Sequence, residues 1–389
     1  MTPGGSPAGF ALWNLGFRPF YLLASAFGAA SVAAWAAQFA GWLPPTTYLQ
    51  GPLWHAHEML FGYTVAVVAG FLLTAVRNWT GQPTPSGLPL ALLAALWVAG
   101  RILVLTPFPL TAALVNAAFP VAAGVAIAVP MVRSANRRNY FFAALLVLMG
   151  GVVLAFHLSY QGRLALPARL GLQAGLDIVL FVMAVMGGRV IPMFTNNGVP
   201  GTNARRTVFT ERFALGSVLL LIAADAAQAP AGVVGAVALS AAVAHAARLW
   251  LWQPWRTLRT PLVWVLHGAY GWIVIHLALR ALAAAGLVGE SLAWHALTLG
   301  AIGGLTIGMM TRTAKGHTGR PLVADGFEVA AYGLVMAAAV VRVAGGALLP
   351  GAYVATVAAS AALWSLAFAI YAARYWPVLT RPRIDGKPG

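Results

Sequence analysis

The chain has 389 residues, of which 60% are hydrophobic and 8% charged, too little polar surface to cover a soluble globule. It contains no cysteine, which excludes disulfides, thiolate ligands, iron–sulfur clusters and c-type haem attachment together. The net charge of +16 is accounted for by short basic loops facing anionic lipid, so the bilayer is the expected partner and nucleic acid is not.

Apolar segments of about 20 residues, enough to cross roughly 30 Å of hydrocarbon, fall near 20–40, 53–76, 88–106, 110–132, 140–160, 168–193, 211–227, 229–252, 262–285, 291–314, 326–345 and 351–376. They predict an all-α membrane protein with twelve transmembrane helices. The first is too long, and too close to Arg18, for a cleaved signal peptide. Alternate loops hold Arg18, Arg77, Arg133, Arg137, Arg138, Arg205, Arg206, Arg212, Arg256, Arg259, Lys315, Arg320, Arg381, Arg383 and Lys387, whereas the others hold little beyond Arg163. Positive residues belong inside, which predicts that both termini are cytoplasmic.

In chain order, Gly16-Phe17-Arg18-Pro19-Phe20 leads into the first span, and Pro44, Pro45 and Pro52 mark the outer loop after it. The second span begins Trp54-His55-Ala56-His57-Glu58-Met59. Histidines two apart on a helix point about 200° from each other, so His55 and His57 serve different partners, while His55 and Glu58 share a face. Arg77 and the turn Thr80-Gly81-Gln82-Pro83 end this span. His157 lies near the outer end of the fifth. In the sixth, Asp177 lies about 13 Å from the outer edge by helical rise, and the inner end reads Gly187-Gly188-Arg189-Val190-Ile191-Pro192 and on to Asn197. His245, His267 and His276 follow on spans eight and nine. The tenth span brings in His295 and ends in Arg312, Lys315 and His317.

The second and tenth spans superpose without gaps. His295 falls on His57, Gly300 on Gly62, Gly308 on Gly70, Lys315 on Arg77, and Thr318-Gly319-x-Pro321 on Thr80-Gly81-x-Pro83. A third copy of the tail, Asn197-Gly198-x-Pro200, follows Gly81 by 117 residues and precedes Gly319 by 121. A fixed period means repeated modules. The whole of 1–389 is therefore expected to be one transmembrane domain of three four-helix modules, roughly 16–132, 133–252 and 253–376. The middle module has Ala174 where the others have histidine, leaving two sites able to bind a metal.

His55, His57, His157 and His295 share one layer, with His57 and His295 roughly 6 Å below the outer surface. Ionisable groups in a membrane are treated as functional by default. His157, His245 and His267 taken singly read more simply as capping or hydrogen-bonding a neighbour. Two imidazoles flanked by Gly62, Gly300, Gly303 and Gly304 resemble a slot for a flat macrocycle, with ordinary small-residue packing as the competing reading of the glycines. The economical assignment is haem b held by His57, His295 or both. His55, Glu58 and His276 are left for a second metal, where imidazole and carboxylate suit copper or non-haem iron. Glu58 and Asp177 are the candidate proton-relay residues. The inner ends gather Arg77, Arg189, Asn196, Arg312, Lys315 and His317, either as a cytoplasmic anion site or as positive-inside anchoring.

The runs GFRPFYLL, WHAHEMLFGY, GGRVIPMFTNN and HALTLGAIGGLTIGMMTRTAKGHTGRPL resemble the signature stretches of the NnrS family, and the likeness in length covers the whole chain. This resemblance implies a bacterial inner-membrane protein containing haem and copper and associated with the nitric oxide response. Nitric oxide is then the expected ligand or substrate, with a quinol or other reduced donor if it is converted. Redox detoxification in the manner of a nitric oxide reductase is the first expectation. A non-catalytic haem and nitric oxide sensor or protector is the second, and a small-molecule transporter the third. The architecture is also similar to the haem–copper oxidase catalytic subunit, in which the second and tenth spans supply haem ligands. This sequence departs from that pattern: its tenth span has one histidine where those proteins have two, and its sixth and seventh have none.

Overall fold

Long apolar runs in lipid leave backbone polar groups no partner but one another, and the chain answers with helix. The computed structural model describes residues 9–387; it is all-helical, with 79% helix and no strand among the described residues. The helices are α1 Phe17–Phe39, α2 Gly51–Thr80, α3 Leu88–Leu103, α4 Pro109–Arg133, α5 Arg137–Tyr160 and α6 Ala168–Gly198. They continue as α7 Val208–Ala226, α8 Ala231–Leu251, α9 Pro261–Ala284, α10 Glu290–His317, α11 Gly326–Leu348 and α12 Pro350–Thr380.

Ten of these are long and apolar enough to cross a membrane, against the twelve crossings predicted. The two that fall short are α3 and α7, for different reasons. α3 has 16 residues, about 24 Å of helix, which is short of the hydrocarbon thickness. α7 is 19 residues long but includes Glu211, Arg212 and Asp225. Side chains cap the starts of two helices: Thr207 accepts from the Thr210 amide at the start of α7, and Asp325 forms a capping box with Glu328 at the start of α11.

Two compact units make up the chain. The first comprises Met1–Gly175, Met310–Leu322 and Phe368–Gly389; the second comprises Leu176–Met309 and Val323–Ala367. The repeat leaves a local trace in both. His57 ends a regular α-helical turn and is followed by a π-helical stretch, Glu58–Thr64; His295 likewise precedes a π-helical stretch, Ala296–Gly303. Such wide turns inside α-helices recur at functional sites. In the middle copy α6 stays α-helical throughout.

The predicted turns hold at two of three places. Gly81 caps α2 with φ +65° and Gly319 has φ +76°, the left-handed region that glycine enters without steric cost. Gly198 is still helical, and the left-handed residue is Gly201, with φ +75°. The middle helix therefore runs past the position where the repeat expects it to stop.

Candidate metal centre and buried polar chain

In the first unit, His57 is wholly buried and both of its ring nitrogens are engaged. Nδ1 lies 2.9 Å from Oε1 of Glu58 and Nε2 lies 3.0 Å from Nε2 of His157. Glu58 is itself buried, and its Oε2 accepts from Arg101 Nη1 at 2.7 Å. Arg101 also donates to Asn116, whose amide is held by the carbonyls of Gly100 and Ala112 at 3.2 and 2.8 Å. On the far side, His157 Nδ1 lies 3.0 Å from the hydroxyl of Tyr48, which accepts from Gln161 Nε2 at 2.9 Å.

With Glu58 ionised against Arg101, a single arrangement of protons on neutral imidazoles satisfies every contact. His57 Nδ1–H donates to Glu58, which leaves its Nε2 bare; His157 Nε2–H donates to that lone pair, and Tyr48 O–H donates to His157 Nδ1. Tyr48 lies in the loop before α2, where burial raises its pKa, so the hydroxyl keeps the proton this scheme needs. The result is an unbroken chain Gln161, Tyr48, His157, His57, Glu58, Arg101, Asn116, in which every donor from Gln161 to His57 points toward the Glu58 carboxylate and Arg101 donates both to that carboxylate and outward to Asn116.

The glycine after Glu58 makes this chain possible. A Cβ on Gly62 would collide with Nη1 of Arg101 and lie 3.1 Å from Oε2 of Glu58. Gly62 is thus the gap through which the guanidinium reaches its carboxylate, and its face is filled by Arg101 rather than open to a flat ligand. His55 stands apart, its ring stacked on Trp35 at 5.3 Å and 14°. The expected sharing of a face by His55 and Glu58 gives no common ligand, because both Glu58 oxygens turn to His57 and Arg101.

The second unit holds two imidazoles of another kind. His276 on α9 is buried; its Nδ1 lies 2.7 Å from the carbonyl of Ala293, and its Nε2 is buried without a hydrogen-bond partner. His295 on α10 places Nδ1 2.7 Å from the carbonyl of Ser291. In each ring Nδ1 is therefore the N–H, and Nε2 carries a lone pair. The glycines that follow His295 are packing positions. A Cβ on Gly300 would run into the Trp272 indole, one on Gly303 would come within 2.5 Å of Trp364, and one on Gly304 within 2.6 Å of Ala269.

Two buried ion clusters complete this unit. Asp177 Oδ1 lies 3.6 Å from Arg280 Nη1, while Nη2 of the same arginine donates to both oxygens of Asp225 at 2.6 and 2.8 Å. Arg248 donates to both oxygens of Glu211 at 2.8 and 2.7 Å, to the Ala184 carbonyl at 2.7 Å and to the Tyr270 hydroxyl at 3.0 Å. His245 Nδ1 meets the same hydroxyl at 2.6 Å. Gly188, in the predicted motif at the inner end of α6, leaves no room for a Cβ beside the Arg248 guanidinium.

Of the predicted inner-end residues, Asn196 folds its own loop, pairing with both the amide and the carbonyl of Ala204 at 2.7 and 3.0 Å. Arg77 is exposed, and the His317 ring lies 5.7 Å from Phe17. Arg189, Arg312 and Lys315 have interactions of their own and are not open cations. Sequence reasoning placed His157 in the layer of His57 by depth and read it, taken singly, as capping or hydrogen-bonding a neighbour; it assigned no site role to Tyr48 and Arg101 at the first cluster or to Arg248 and Tyr270 at the second, whose partners are distant in sequence.

Among the described residues, no group of three or more His, Asp or Glu side chains is arranged to hold a metal ion. The Nε2 atoms of His57 and His157 lie 3.0 Å apart, and the pair carries the second contacts expected of ligating histidines, a carboxylate behind one ring and a phenol behind the other. Among curated proteins, none matches the chain. The NnrS family model, described as NnrS protein, matches residues 11–383, so the chain belongs to the NnrS family, a membership that fits a multi-pass membrane protein of the nitric oxide response whose relatives bind haem and a metal.

Proposed function

We propose that the chain is a haem- and copper-binding protein of the bacterial inner membrane that converts nitric oxide by a redox reaction within the bilayer. The observation that carries the metal is the separation of 3.0 Å between the Nε2 atoms of His57 and His157. Two nitrogens each about 2.0 Å from one ion stand about 2.8 Å apart at a right angle and about 3.3 Å at the tetrahedral angle. The observed spacing lies between, and imidazole pairs suit copper. Binding requires His157 Nε2 to give up its proton, as any ligating nitrogen must.

His276 and His295 supply the donors that fit haem iron, because their Nδ1 atoms are tied to carbonyls, which leaves the lone pair on Nε2, and Nε2 of His276 is buried without a hydrogen-bond partner. His57, expected beside His295 as a haem ligand, is better suited to the second metal, since its Nε2 meets His157. The faces of Gly62, Gly300, Gly303 and Gly304 do not support the flat slot inferred from the glycines. Haem would supply nitric oxide binding and the redox change of the reaction; electrons would come from a quinol or another reduced donor.

Reducing two nitric oxide molecules to nitrous oxide and water takes two electrons and two protons. With copper on both Nε2 atoms the hydrogen-bonded run is divided there, into Tyr48 with His157 on one side and His57 with Glu58 and Arg101 on the other, each ring held through its Nδ1. Glu58 is the buried carboxylate beside that metal and the residue we assign to proton relay. Asp177, 3.6 Å from Nη1 of Arg280, is the other carboxylate assigned to that role. The likeness to the oxidase architecture and a count of twelve crossings form part of the same reading. They are supported by the matching α-to-π junctions after His57 and His295, and by the neutralisation of Glu211 and Asp225 on α7 through Arg248 and Arg280.

Anaerobic consumption of nitric oxide by the purified protein with a reduced quinol or artificial donor tests the reaction. Turnover well beyond one nitric oxide per haem is expected. Consumption that stops at one equivalent makes the chain a binding or sensing protein instead.

A further inference from the structure

One end of the first unit gathers arginines with almost nothing to neutralise them. The sequence supplies this unit with only two acidic side chains, Glu58 and Asp385. Glu58 is committed to His57 and Arg101, and Asp385 is clasped by Arg383 at 2.8 and 2.6 Å. Arg18 and Arg320 have neither. Arg18, the second residue of α1, is 0% exposed. Its Nη1 donates to the carbonyls of Leu379 and Arg381 at 2.9 and 2.8 Å, which pins the guanidinium between the start of α1 and the end of α12. Its Nε and Nη2 are buried with no hydrogen-bond partner, and so is Nη1 of Arg320. The charges that act on Arg18 most strongly are Arg320 and Arg383, both of its own sign.

A buried guanidinium with unmade hydrogen bonds, beside further cations, is an expensive arrangement. The two unpartnered atoms of Arg18 are not scattered: Nε–H and Nη2–H lie along one edge of the guanidinium and point the same way. That edge matches two oxygens of a phosphate or carboxylate. Its place at the first turn of α1 adds the partial positive charge of a helix N-terminus, at the level of the membrane where headgroups lie.

We propose that Arg18 and Arg320 form a binding site for a phosphate-type oxyanion, supplied by the headgroup of an anionic phospholipid or by free phosphate. Arg18 grips two oxygens through its Nε and Nη2 edge, and Arg320 closes on a third through Nη1. The Arg383–Asp385 pair borders the site, with Asp385 packed against the left-handed turn at Gly319. The site is separate from the imidazole centres and independent of what they do.

The test measures thermal unfolding of the full-length protein in two settings. One is detergent with inorganic phosphate against chloride at equal ionic strength. The other is phosphatidylcholine nanodiscs with and without phosphatidylglycerol. A rise in unfolding temperature with phosphate identifies a soluble ligand; a rise confined to phosphatidylglycerol identifies the headgroup. Arg320→Gln is expected to weaken binding of the effective ligand about tenfold or more, as loss of a charged hydrogen bond does, while Arg133→Gln, at the exposed arginine that ends α4, leaves it unchanged. Arg18→Gln is expected to abolish binding, and if that variant does not fold, Arg320→Gln decides alone. No rise in either setting overturns the proposal, and so does an Arg320→Gln protein that responds as the parent does.

Discussion

Gly62→Ala is the smallest change that separates the buried polar chain from ordinary helix packing. A methyl group there collides with Nη1 of Arg101 and comes within 3.1 Å of Glu58 Oε2 and 3.2 Å of the Phe27 ring. Arg101 has little room to retreat, because its guanidinium lies 5.9 and 5.7 Å from the ring centroids of Phe27 and Trp97 and is also bonded to Asn116. Displacing it opens the 2.7 Å contact with Glu58, which leaves a buried carboxylate facing only His57. Separating a buried ion pair in this way costs about 3–5 kcal/mol. The same substitution at Gly151, where nothing lies within 4 Å of the added methyl, gains up to about 1 kcal/mol from helix propensity. Unfolding of the two variants and the parent, compared by heating in one detergent, should place Gly62→Ala well below the parent and Gly151→Ala at or above it. Equal stability of the two variants would refute the claim that Gly62 exists to admit Arg101.

Gly188→Ala puts a methyl on the Arg248 guanidinium and should cost at least as much, about 3–5 kcal/mol, read as lost yield of folded protein after detergent extraction. Tyr48→Phe keeps the ring stacked on His157, 5.8 Å away at 14°, but removes the hydroxyl that holds Nδ1 of that ring. Copper affinity is expected to fall about tenfold or more at unchanged haem content, and undiminished affinity would remove Tyr48 from the support of the metal. His276→Ala and His295→Ala should each reduce the Soret absorbance per chain, whereas His55→Ala, on a ring stacked on Trp35, should not.

Much of this was legible in the sequence, and the failures have physical causes. Helix positions follow from apolar runs bounded by Pro, Gly and charge, so each predicted segment is helical. Whether a helix is a crossing depends on what its charges meet, and Arg248 and Arg280, which neutralise Glu211 and Asp225 of α7, are 37 and 55 residues away in the chain. His57 and His295, which superpose in the sequence, each stand just before an α-to-π junction, which the sequence did not announce. The superposition does not reveal that His57 turns to His157, because that contact joins residues 100 apart and depends on how α2 and α5 pack. Gly62, Gly300, Gly303 and Gly304 were read as room for a ligand when they are room for Arg101, Trp272, Trp364 and Ala269; composition shows where space is, and only the fold shows what fills it.

The most direct measurement is the copper content of purified protein by elemental analysis, with haem quantified on the same samples, for the parent and for His57→Ala and His157→Ala. The account predicts one copper per chain in the parent and loss of it in either single variant while the haem remains. Copper retained at the parent level in both variants contradicts it.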